Sequence, residues 1–324
     1  MGKRVRSDIA KPGNNIMVPK KRSFLDTFKK YKMYYFLLIP GLLYLIIFHY
    51  IPMFGIIISF KDYQPFMGVK GIFTSQWVGF KHFQKFFNSY YFWDILGNTL
   101  TISLLKFIFG FPAPIVFALL LNEVRNKKFM KTVQTISYLP HFLSWVVVSG
   151  LLVTLLSTDN GLINIIREAM GRESIMFLGD PRYFRQVLVV SDIWKGIGWG
   201  SIVYLAAISG VDQEMYEAAY IDGANRWRRI WHITLPSISN IVVIMLIFNV
   251  GGLLNAGFEQ IFLLYSPSVY SVADIIDTFV YREGLQSNNY SYATAVGLFK
   301  SLVSMFLLLL TNFIAKRLDQ EGIW

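Results

Sequence analysis

The stretch GVDQEMYEAAYIDGANRWRRIWHITLP, residues 210–236, lies between two long apolar blocks and carries a short helix of its own. Asp212 is a good N-cap, Glu214 places charge in the first turn, and Ala218, Ala219, Tyr220 and Ile221 continue a helical run that Gly223 can end. Ala218 and Ala219 leave a low-relief patch that another protein can approach closely, with Glu217 and Asp222 offering charge beside it. Pro236 stands where a new apolar helix would begin. The result is a small, hard knob between two membrane segments, a shape suited to docking.

Outward from this loop the chain is too apolar for a soluble protein. Of its 324 residues 54% are hydrophobic, 17% aromatic and only 16% charged, and the charges fall between the apolar blocks. That composition excludes disorder, collagen and disulfide scaffolds. With no cysteine, thiolate metal sites and cysteine nucleophiles are excluded as well. Crossing a hydrocarbon layer about 30 Å thick takes roughly 20 apolar residues in helix. Six stretches meet or approach that length: residues 34–60, 95–121, 135–156, 187–208, 238–257 and 294–315. The expected fold class is therefore an all-α integral membrane protein with six transmembrane helices. Residues 1–33 form a basic tail, 34–324 the membrane domain, and 209–237 the loop described above.

The formal charge of +11 raises the question of nucleic acid, and the distribution of the charges answers it. With the N terminus inside, the inside segments hold nineteen lysines and arginines and the outside segments nine, which places both termini in the cytoplasm. Basic residues facing anionic headgroups are a sufficient reading, and no nucleic-acid partner is needed.

Within the loop, Glu217-Ala218-Ala219, Asp222-Gly223-Ala224, Trp227 and Leu235-Pro236 resemble the EAA loop of ABC importer permeases. Pro40-Gly41, His49-Tyr-Ile-Pro52, Phe60-Lys-Asp-Tyr63, Trp77-Val-Gly-Phe80, Asn98-Thr99, Phe111-Pro-Ala-Pro114, Asn122-Glu123 and Tyr138-Leu-Pro140 extend the likeness to sugar-uptake permeases of the maltose type. The LplB-like branch, whose members import oligosaccharides derived from complex polysaccharides, is the one the chain resembles, over roughly residues 33–324. The resemblance implies a MetI-like permease core that performs no chemistry. It implies a second permease subunit, in this family usually a different homologue, an ATPase dimer that binds ATP and Mg, and an external solute-binding protein. Glu217, Ala218, Ala219, Asp222, Gly223, Ala224, Leu235 and Pro236 would then form the ATPase-coupling site. The implied location is a bacterial plasma membrane, crossed several times, with a hint of a Gram-positive host.

The chain lacks a motor of its own, since no phosphate-binding Gly-x-x-x-x-Gly-Lys-Ser/Thr sequence occurs. Gly196, Gly198 and Gly200 more plausibly allow close helix packing. The four histidines are scattered, so no metal site is expected. Ionisable groups within spans are costly and each is a functional candidate. Asp192 and Lys195, three residues apart, are expected to neutralise each other. Lys106 stands near the midplane without a sequence-local partner, and Lys300 is close enough to the outer headgroups to reach them. Facing a central cavity, the two ammonium groups would favour a carboxylate-bearing solute, such as a uronate-containing oligosaccharide from pectin or alginate. Trp199, Asn249 and Asn255 complete the expected solute path. The alternative is an ion-coupled secondary sugar transporter working through Asp192, Lys195 or Lys300, for which the docking loop has no purpose. A membrane enzyme lacks any acid, base and nucleophile cluster on one expected face.

Overall fold

The computed structural model describes residues 30–317, so most of the basic tail lies outside the described residues. Regular structure among them is helical, apart from one isolated antiparallel bridge between Lys61 and Trp77. Contacts divide the chain between Gly55 and Ile56. The apolar helix α1 runs over Lys32–Phe60. The main body contains the short helix α2 (Lys81–Phe87) and the long helix α3 (Phe92–Asn122). Next come α4 (Lys127–Phe142), α5 (Trp145–Leu156) and α6 (Leu162–Ala169), and then α7 (Pro181–Ser209). After α7 follow α8 (Gln213–Ile221), α9 (Arg226–Ser237), α10 (Ser239–Gly251), α11 (Phe258–Leu264), α12 (Ile276–Tyr281) and α13 (Tyr290–Arg317).

By length and composition α1, α3 and α13 can each cross a membrane, and two bent pairs raise the number to as many as five. α7 is 29 residues long and carries Arg182, Arg185, Asp192 and Lys195, which lower its hydropathy without shortening it. The expected straight span 135–156 is instead broken. α4 and α5 meet at 103°: Pro140 cannot donate to the helix, Leu143 and Ser144 turn to extended backbone, and Ser144 caps α5 by accepting from the Val147 N–H. α9 and α10 meet at 65°, after a wide turn at Ile230–Thr234 and Pro236.

Close packing centres on α7. A Cβ on Gly198 would collide with the Ser137 carbonyl of α4, and one on Gly200 would meet Pro114 Cγ of α3 at 3.0 Å. The expected role of these two glycines is therefore visible, whereas Gly196 has open space. One apolar core joins Ala118, Tyr204, Ile208, Val211, Ile233 and Ile238, binding α3 and α7 to the loop that follows.

The first halves of α3 and α7 are held by polar contacts between segments distant in sequence. Arg185 donates to Asn98 Oδ1 at 2.7 Å and to the Val272 carbonyl at 3.0 Å. Asn98 donates to the Asp274 carbonyl at 3.1 Å, and Thr99 Oγ1 accepts from the Ile276 N–H at 3.0 Å. The segment after α10, expected as an outer loop, thus folds back as short helices against α3 and α7. Two stretches quoted above also meet each other. Phe60 stacks on Trp77 with ring centroids 5.6 Å apart, and Lys61 Nζ donates to the Ile72 and Phe73 carbonyls at 2.9 and 2.7 Å. His82 lies buried against the Lys61 carbonyl, 3.0 Å from Nε2.

Two predictions follow from this packing. Gly198→Ala lowers the thermal midpoint of the purified protein, on the scale of about 1–3 kcal/mol for an overpacked contact, while Gly196→Ala leaves it unchanged. Burial holds His82 below its ordinary value of 6.5, against the raising effect of the Lys61 carbonyl, so the folded protein favours the neutral ring. Its contribution is complete above that value and is lost as pH falls through it towards the depressed folded value. Melting curves of the wild type should therefore drop more steeply on acidification than those of His82→Gln, which keeps a donor for the carbonyl.

Candidate functional site

The loop helix α8 forms where the sequence places it, and each end has an identifiable stop. Asp212 Oδ1 accepts from the Glu214 N–H at 2.9 Å. At the far end Gly223 adopts a φ of 76°, and the Ala224 N–H reaches the Ala219 carbonyl at 2.8 Å while the Gly223 N–H reaches Tyr220 at 3.1 Å. This paired closure satisfies the last carbonyls of α8 and depends on a residue without a Cβ at position 223. Tyr216 shares a hydrogen bond of 2.9 Å with Thr234, which fixes α8 to α9. Ala219 packs towards the Ala118–Ile238 core while Glu217, Ala218 and Asp222 are exposed.

Large apolar side chains around that knob also face outward. Tyr220 is 72% exposed, Ile221 84% and Trp227 66%, a concentration of unburied carbon that water does not favour. Leu235 is partly buried on the same core and Pro236 is exposed ahead of the bend into α10. A contact the sequence did not disclose is Arg226 Nε to Glu123 Oε2 at 3.7 Å, which joins the end of α3 to the start of α9. Being half-exposed it adds little stability and serves to align the loop.

A polar cavity of about 260 Å³ lies between α3, α7 and the end of α10, and Lys106, Asp192, Asn249 and Asn255 line it. The expected Asp192–Lys195 pair does not form. Lys106 Nζ stands 3.3 Å from Asp192 Oδ1 and also donates to Gln260 Oε1, while Lys195 donates to the His141 carbonyl at 2.8 Å. The reason is packing: α3 lies along α7, so a lysine 86 positions away meets Asp192 more directly than one on its own helix. Gln260, fully buried, donates to the Leu188 carbonyl and to Ser191 Oγ, both at 2.8 Å. Gly257 is required beside this cluster, because its φ is 96° and a Cβ there would meet Lys106 Nζ.

Lys300, expected to reach headgroups, instead has its partners within the protein. It reaches Asp277 at 2.6 and 2.7 Å and Asn255 Oδ1 at 2.7 Å, since α12 folds inward over α13 and supplies a nearer counter-charge. Asn255 and Lys300 line a second opening of about 750 Å³. Asn255 therefore belongs to both openings. Trp199 is placed apart from them, stacked on His141 with ring centroids 4.5 Å apart. Ser103 Oγ is buried in the wall of the smaller cavity without a hydrogen-bond partner, a hydroxyl left for water or solute.

In the two ion pairs that line these openings the carboxylate is the more open partner. The Asp192 side chain is 39% exposed against 11% for Lys106, and Asp277 25% against 14% for Lys300. The walls thus present acceptors backed by ammonium groups, together with the amides of Asn249 and Asn255. Such a lining is suited to hydroxyl-rich solutes and holds no surplus charge. Asp192 was legible as an intramembrane charge; Gln260 and Asp277 carried no signal beyond being polar.

Residues 110–321 match the family described as the binding-protein-dependent transport system inner membrane component. The chain is 47% identical to protein LplB of Bacillus subtilis, over 95% of this chain and 99% of that one. It is 46% identical to the polygalacturonan/rhamnogalacturonan transport system permease protein YteP of the same organism, over 94% of each. Among solved structures, it is similar to a chain of a bacterial alginate ABC transporter in complex with an alginate pentasaccharide-bound periplasmic protein. The TM-score there is 0.86 at 41% identity, covering 93% of this chain and 100% of that one. A further structure, of a bacterial ABC transporter that imports the acidic polysaccharide alginate, gives 0.84 at 43% identity over 90% and 98%. The chain belongs to the binding-protein-dependent transport system inner membrane component family and is the permease of an ABC sugar importer, not an enzyme, with the ATPase in a separate subunit.

Proposed function

We propose that this chain forms half of a transmembrane pathway that moves an oligosaccharide inward after an external binding protein delivers it. The partner half is a second permease, by family habit a different homologue, and ATP with Mg is held by an ATPase pair on the cytoplasmic side. The membrane is the plasma membrane of a bacterium, crossed six times, with both termini inside. One observation carries the reading: the capped helix α8, exposed at Glu217 and Ala218 yet tied through Tyr216–Thr234 and Ala219 to the core of α3 and α7. A force applied to α8 passes into packed helices rather than into a slack loop, because close-packed interiors transmit strain. α7 leads from the loop to Asp192 in the cavity, so one stiff element joins the knob to the polar walls.

The solute is a uronate-containing oligosaccharide. Relatives named for polygalacturonan/rhamnogalacturonan and for the acidic polysaccharide alginate support that choice. Lys106, Asn249, Asn255 and Lys300 are the residues of this chain that would meet it. Hydroxyls pair with the carboxylates and amides, and a solute carboxylate shares the ammonium group of Lys106 or Lys300 with Asp192 or Asp277, the more solvent-exposed partner of each pair.

Each half of the reading has its own test. Ala218→Arg, on an exposed position, should lower uptake by about tenfold or more while the thermal midpoint stays in place; unchanged uptake contradicts the docking role. Lys106→Met combined with Asp192→Asn, which strands no carboxylate, should slow uptake of an acidic oligosaccharide by about tenfold, the scale of one lost hydrogen bond to a charged group, relative to a neutral one of equal length. Equal loss of both excludes the charge-based selection.

A further inference from the structure

We propose that Gln260 is a positioning residue for solute recognition: it holds the Lys106 ammonium in the wall of the smaller cavity and keeps it from closing on Asp192. The proposal rests on the reading of Lys106 as a group that meets a solute carboxylate. Gln260 is fully buried and is not itself part of the cavity wall, so it acts through Lys106.

The amide can face only one way. Ser191 donates its hydroxyl hydrogen to the Val187 carbonyl of its own helix, which leaves its oxygen free to accept. The Leu188 carbonyl is an acceptor alone. Gln260 Nε2 donates to both at 2.8 Å, and these two acceptors use both of its N–H groups. Oε1 is therefore turned towards Lys106 Nζ, where it offers an acceptor that carries no formal charge. Gly257 clears the space, since a Cβ there would stand 2.6 Å from Lys106 Nζ and 3.5 Å from Gln260 Oε1.

The effect on the charge shows in a comparison of the two lysines. Lys300 reaches both oxygens of Asp277, at 2.6 and 2.7 Å, as a close charge-assisted pair. Lys106 stands 3.3 Å from one oxygen of Asp192, beyond the roughly 2.7–2.9 Å of such pairs. A neutral acceptor takes a donor that would otherwise close on the carboxylate, and the ammonium keeps charge for an arriving anion. A second carboxylate in that place would compensate Lys106 fully, and an apolar side chain would release it to Asp192. Glutamine does neither, and its orientation is locked by α7, the helix that also carries Asp192.

Import is measured in proteoliposomes of the complete importer with its ATPase and binding protein, with an oligogalacturonate and its methyl ester of equal length as probes. Each variant is compared with the wild type on the same binding protein, so the ratio of the two rates isolates the permease. Gln260→Glu and Gln260→Met should each lower the acid-to-ester ratio by about tenfold, the scale of one charge-assisted hydrogen bond. Asp192→Asn added to Gln260→Met should restore the ratio by freeing Lys106. A wild-type ratio in both single variants, or an equal fall of both rates without rescue, overturns the proposal. A second measurement needs no solute. In thermal midpoints of the purified importer, the coupling between Lys106→Met and Asp192→Asn should be larger in the Gln260→Met background than with Gln260 in place. Unchanged coupling overturns the positioning role even where an acidic solute is imported. Coupling that rises in an importer with no preference for the acid upholds the role and removes the uronate reading instead.

Discussion

A charge placed among apolar helices has to find a counter-charge or hydrogen-bond acceptors inside the protein, and that requirement organises the interior of this permease. Lys106 and Asp192 join α3 to α7, and Gln260 adds α11 to the same cluster. Lys300 and Asp277 join α13 to α12, with Asn255 between the two clusters. Each pair closes a contact between segments far apart in sequence, and each leaves its carboxylate turned towards an opening. Removing one partner strands a charge at a cost far above that of a surface pair, so the pairs fix the shape of the polar walls.

The loop 210–236 was legible because its structure is local. Asp212, Gly223 and Pro236 act within a few residues of themselves, and capping and positive φ read directly from residue type. The paired motifs Phe60–Tyr63 and Trp77–Phe80 were visible as motifs, but their meeting was not, because ring stacking between them is a tertiary event. The same limit explains Asp192. Lys195, three residues along α7, was the available partner by sequence, while Lys106 arrives through the packing of another helix. The break at Leu139–Ser144 was hidden by hydropathy, which averages over a bend, although Pro140 marked it. Inward folding of residues 258–289 was hidden in turn-forming residues that also suit a plain loop.

These features combine into one mechanical layout. α7 is the stiff member: its first half carries Asp192 at the cavity, its middle admits α4 and α3 through Gly198 and Gly200, and its last residues lead into α8. α8 is short, capped at both ends and anchored to α9, so it is held as one body. Its exposed face of Glu217, Ala218, Tyr220 and Ile221 is small-residue relief edged by carbon, the form of a surface that another protein covers.

The account stands on α8 being gripped by a nucleotide-hydrolysing neighbour. A photoreactive amino acid at position 218, irradiated in membranes of the native host, measures this directly. The predicted product is one dominant adduct whose partner is an ATPase subunit; adducts with lipid alone, or none, contradict it.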